Sequence, residues 1–151
     1  MTTRELYSSI GVSGYEHQQC WRKDGVFHLR MAAPGSCYRC PQCGNQDVIR
    51  RGTVDRVVHA PPIGMERTQL FIKVPRLECR RCERVLNAVL PNVVPLCNYT
   101  KSLARLVVDL RKMMTIQDVA RYVGVSDTMI RSIDKKYLQK NFCKPRLRDL
   151  E

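Results

Sequence analysis

The chain has 151 residues and a mass of 17.5 kDa, room for one domain or two small ones. Its 26% charged and 44% hydrophobic residues, with eight Gly and eight Pro, exclude wholesale disorder and collagen-like repeats, and no uncharged apolar run is long enough to span a bilayer. A net charge of +12, from 26 Lys and Arg against 14 Asp and Glu, points to a phosphate-bearing polymer as partner rather than an anionic membrane.

The first twenty residues carry Arg4, Glu5, Glu16 and His17 and no apolar core, so no export signal is expected. Residues 1–36 are expected to form a short helix around Arg4–Tyr7 and then a β-hairpin. Asp24-Gly25 is the turn signal, and Phe27, Leu29 and Met31 alternate with more polar positions as in a half-buried strand. Ala33-Pro34-Gly35-Ser36 breaks the chain.

Residues 37–97 hold six of the eight cysteines and read as a small β module. Val48–Val58 and Thr68–Leu77 are the expected strands, with Leu70, Ile72 and Val74 on one side and a turn at Pro61-Pro62-Ile63-Gly64. Pro75 inside the second run argues for an edge strand or a bulge. Pro91 and Pro95 place a linker near residues 91–99, so residues 98–151 form the last domain. There the period becomes helical: Leu103, Leu106, Val107, Leu110 and Met114 make one stripe over about four turns. Thr115 and Asp118 form a capping box at the next helix.

Cys40-Pro41-Gln42-Cys43-Gly44 and Cys79-Arg80-Arg81-Cys82 are two CxxC pairs. Each pair on a tight turn aims two sulfurs at one point, and two turns complete the four-thiolate shell that Zn²⁺ accepts. In a reducing compartment such pairs are read as metal ligands before disulfides. Four protein ligands leave no position for a reacting water, so the zinc is structural. Cys37, three residues before Cys40, offers an alternative register. Cys20, Cys97 and Cys143 are unpaired and have no assigned role. A thiol oxidoreductase using one CxxC is the competing enzymatic reading.

Residues 119–133 carry the second pattern. Ala120 is small where two helices would cross, Gly124 can take positive φ, Val125 fills the gap, Ser126 caps the next helix, and Ile130 and Ile133 face inward. This fits a DNA-binding helix-turn-helix. Residues 101–148 hold 12 Lys and Arg against 4 Asp and Glu. Ser126, Thr128, Arg131, Ser132 and Lys135 are candidates to meet base edges or phosphates, Arg131 being placed for a bidentate guanine contact. Arg121, Lys136, Lys140 and Lys144 suit phosphates, with Arg146 and Arg148 continuing the basic run and Arg80, Arg81 and Arg84 adding a second patch. The expected fold class is α+β: a β-rich zinc-ribbon-like module followed by an all-α helix-turn-helix domain.

Together, Glu5-Leu6-Tyr7, Gly14-Tyr15-Glu16, Asp24-Gly25, both CxxC pairs, Arg51-Gly52, Leu90-Pro91 and the helical pattern resemble the N-terminal part of bacterial insertion-sequence transposases of the ISL-three family. The resemblance implies zinc on Cys40, Cys43, Cys79 and Cys82 and recognition of double-stranded terminal inverted repeats through Gln117–Ile133. It also implies a bacterial cytoplasmic, nucleoid-associated location. In that family an RNase H-like domain with three acidic residues performs catalysis; no such set is recognisable before Glu151, so the chain is expected not to be an enzyme on its own. A homodimer and association with a transposase catalytic chain both stay open. The alternative is a free-standing zinc-plus-helix-turn-helix repressor or antitoxin.

Overall fold

A computed structural model describes residues 2–142; Cys143, Lys144, Arg146 and Arg148 lie outside them. The protein is α+β and divides into two compact units, residues 1–103 and 104–151. The first unit opens with α1 (Thr3–Ser9), whose start is a reciprocal cap: Thr2 Oγ1 accepts from the Glu5 amide, and the Glu5 carboxylate accepts from the Thr2 amide at 2.6 Å. A two-stranded hairpin follows, β1 (Glu16–Lys23) and β2 (Val26–Ala32). Its turn residues Asp24 and Gly25 have φ of 53° and 71°, the double positive φ of a tight turn that matches strand twist.

Two long strands make the second hairpin, β3 (Val48–Ile63) and β4 (Glu66–Cys79), and β5 (Arg84–Asn87) closes the sheet. The turn expected at Pro61–Gly64 falls later, at Gly64-Met65. β3 runs through both prolines because a register shift between Ala60 and Ile63 absorbs their missing N–H groups. Strand order is β1-β2-β4-β3, with β5 also on β4. β2 and β4 are parallel, Leu29 opposite Leu70 and Met31 opposite Ile72. The N-terminal hairpin is therefore one sheet with the cysteine-bearing strands, not a separate element.

Pro75 sits in a central strand, not an edge, and the bulge reading is the one that applies. β3 shifts register between Arg50 and Thr53 opposite it, with Gly52 at φ 85°. On the other side, β2 pairing ends at Lys73 and β5 pairing starts at Arg76. Burial changes phase at the same place: Thr68, Leu70, Ile72 and Val74 are buried before it, Leu77 and Cys79 after it.

The stretch 91–99, expected as a linker, belongs with its flanks to the first unit. Ala88, Leu90, Val93 and Tyr99 are buried, Tyr15 donates its hydroxyl to Pro91 O at 2.7 Å, and Thr100 pairs through its amide with His59 O at 3.0 Å. The core gathers Tyr7, Val12 and Tyr15 against Leu29, Met31, Leu70 and Ile72. Each large side chain buried there contributes about 1.5–3 kcal/mol.

The division between units falls inside α2 (Lys101–Leu110), after Leu103. The helix is shorter than its stripe suggests. It ends at Leu110, and turns follow to Met114, whose carbonyl accepts from the Arg111 guanidinium at 2.6 Å. The second unit continues with α3 (Ile116–Val123) and α4 (Asp127–Asn141) around buried Val107, Val119, Ala120, Val123, Ile130 and Ile133. No described helix is long and apolar enough to cross a membrane.

Candidate metal centre and nucleic-acid surface

The four cysteines of the CxxC pairs converge. The sulfurs of Cys40, Cys43, Cys79 and Cys82 all lie within 4.8 Å of one another, with Cys43 to Cys79 at 3.6 Å and Cys40 to Cys82 at 4.0 Å. A tetrahedral shell with Zn–S bonds of about 2.3 Å has sulfur–sulfur edges of about 3.8 Å, so the set fits one such ion. The sheet explains the convergence. Cys79 ends β4, paired with Val48 at the start of β3 and Arg84 at the start of β5, which brings the two knuckles to one end of the three strands.

Both knuckles turn alike. Gly44 N donates to Cys40 O and Glu83 N to Cys79 O, each at 2.9 Å, and the residue after each second cysteine has positive φ, 72° for Gly44 and 54° for Glu83. The backbone amide of Cys82 donates to Cys79 Sγ at 3.5 Å. That amide, with the Arg81 amide adding to it, lowers the Cys79 thiol to about 6, so this sulfur is readily a thiolate, the form that binds metal. The Cys43 sulfur beside Cys82 pushes its thiol up to about 12, as expected when several sulfurs compete for charge at one point. A bound cation removes that competition. Cys37, the alternative ligand, is in the core, and burial pushes its thiol up to about 11. Cys20 is exposed on β1 and Cys97 is half-buried.

In the second unit the caps read from sequence are present, with one difference. Thr115 Oγ1 accepts from the Asp118 amide at 3.2 Å, but it also donates to the Asp118 carboxylate at 2.6 Å, so the acid binds the hydroxyl. Gly124 ends α3 at φ 80°, and Ser126 caps α4 by accepting from the Met129 amide at 3.2 Å. Thr128, Arg131 and Lys135 are exposed on the side of α4 away from buried Ile130 and Ile133, and Ser132, on that side, is half-buried. Lys136 and Lys140 are exposed, and exposed Arg121 stands 3.7 Å from Asp118. Arg80, Arg81 and Arg84 are exposed around the second knuckle.

Two features escaped sequence reasoning. Arg111 pairs with Asp134 at 2.9 Å, both about three-quarters buried, linking the turn after α2 to α4. On the sheet face opposite Leu29 and Leu70, three rings meet: Trp21 and His28 stack at 5.1 Å, and Phe71 lies 5.3 Å from Trp21 and 5.5 Å from His28. The Arg30 guanidinium sits 5.3 Å from the Trp21 ring. Strand alternation at Trp21 and Phe71 was the available signal, but only pairing across β1, β2 and β4 brings them together.

Residues 38–82 match the family described as zinc-finger of transposase IS204/IS1001/IS1096/IS1165. Neither a curated protein nor a solved structure gives a match. The matched stretch contains all four converging cysteines, and match and geometry together support a transposase-related zinc domain in this part of the chain.

Proposed function

We propose that the chain binds double-stranded DNA sequence-specifically, as the end-recognition part of a transposase, with α3 and α4 acting as a helix-turn-helix and α4 entering the major groove. The observation that carries this reading is the exposed row Thr128, Arg131 and Lys135 on α4, in a chain whose residues 38–82 match a transposase zinc-finger. In it, Arg131 reads a guanine edge, Ser126, Thr128, Ser132 and Lys135 contact neighbouring base edges or phosphates, and Arg121, Lys136 and Lys140 hold phosphates and fix register.

The metal, held by Cys40, Cys43, Cys79 and Cys82, supplies a rigid fold rather than a reaction. Strand cleavage and transfer then belong to a separate catalytic domain or chain. Three of the helical carboxylates already have structural work, which supports that division: Asp109 pairs with Lys112 at 2.8 Å, Asp118 with the Thr115 cap, and Asp134 with Arg111.

A binding-site selection on random duplexes tests the reading. The chain enriches a defined motif, and Arg131→Ala relaxes preference at a guanine by about 1–3 kcal/mol while other positions keep theirs. Absence of any enriched duplex, or an unchanged motif in the variant, overturns it.

A further inference from the structure

We propose that the outer sheet face around Trp21, His28 and Phe71 is a second nucleic-acid surface, one that stacks the unpaired bases of single-stranded DNA. The three rings come from adjacent strands β1, β2 and β4 and lie on the face opposite the core, half-buried, so ring surface remains open to solvent. Arg30 lies over the Trp21 ring and is itself exposed, and Lys73 is exposed two residues from Phe71 on the same side of β4. Asp55, opposite Lys73, and Glu16, opposite Ala32, are acids on this face, set against Arg30, Lys73 and Lys23, the last opposite Val26, so the rings are bordered by more positive than negative charge.

Aromatic planes with flanking cations suit a polyanion that offers π-faces. Stacking on side chains is sequence-tolerant, because every base has such a face. A duplex hides those faces in its own stack, so the surface selects unpaired DNA. An uncharged protein surface would gain from the rings but not from the cations, and an acidic one would gain from the cations but offer few planar faces to stack. The choice of DNA rests on the duplex reading above; the surface itself does not depend on α4.

Trp21 is the chain's single tryptophan, so its emission reports this face alone. The full zinc-loaded chain is titrated with a short oligothymidylate, and separately with a duplex of random sequence, following Trp21 emission and the anisotropy of labelled strands. The proposal expects saturable quenching by the single strand and little by the duplex. It expects about a tenfold or greater loss of single-strand affinity in Phe71→Leu, which keeps apolar volume but removes the ring. Arg30→Gln weakens it as well, and both variants keep the wild-type melting temperature and duplex affinity. Absence of single-strand quenching, equal quenching by duplex, or unchanged affinity in a folded Phe71→Leu overturns the proposal. None of these results bears on duplex recognition by α4, which is read by the site selection.

Discussion

Gly11 holds φ at 77° against Ser102, where a Cβ would stand 2.7 Å from both Ser102 Cβ and Ser102 Oγ. Ser102 cannot withdraw cheaply, because its hydroxyl bonds Ile10 O at 2.7 Å and Thr100 Oγ1 at 3.0 Å. Gly11→Ala is therefore expected to destabilise the first unit by at least about 1 kcal/mol, read as a lower midpoint in urea. His59 gives a pH prediction. Burial lowers its pKa below 6.5, so at mildly acid pH the unfolded chain takes up a proton that the folded chain refuses. Stability contributed by neutral His59 is intact above about pH 6.5 and falls as pH drops below it, and His59→Gln flattens this part of the profile in denaturant titrations. Gly124 and Gly44 were legible because their roles are local, a helix end and a knuckle turn. Gly11 was not, since what crowds it comes from a distant part of the chain. Glu83 was also hidden: it takes the same left-handed turn as Gly44 with a side chain that disfavours it.

At the scale of elements, alternation at Leu70, Ile72 and Val74 announced β4 and its buried side. The parallel pairing of β2 with β4 left no trace, because it depends on non-local register, and the switch of buried side at Pro75 broke the alternation that sequence reading relies on. Helical signals were clearer at starts than at ends. Thr115 and Ser126 both cap as their spacing predicts, whereas α2 stops a turn short of its stripe. Ser126→Ala leaves the Met129 amide without its side-chain partner and should cost about 1 kcal/mol, measured by thermal unfolding. Ser126→Asp should preserve the cap, so a variant pair that melts alike would mean the hydroxyl contributes nothing there.

At the scale of the molecule, the CxxC spacing foretold the four sulfurs that converge, while leaving Cys37 open, since CxxC turns need only local geometry and a strand pair to bring them together. The hydrophobic cores were legible where strand or helix period marked them, as at Leu29, Leu70, Ile72 and Ile130, but not in extent: stretch 91–99 looked like a linker because its prolines outweighed buried Val93 and Tyr99. The positive charge is a property of the whole chain and sets how any DNA complex responds to salt, with affinity falling as counterions compete for phosphates. The most direct test is a titration of the selected duplex by the full chain, zinc-loaded and after chelation, with metal counted by elemental analysis. The expected result is one zinc per chain, specific binding whose log affinity falls linearly with log salt, and loss of the sheet's folded signal on chelation. A metal-free chain that keeps the same fold, or a zinc-loaded one that binds selected and random duplexes equally, would contradict it.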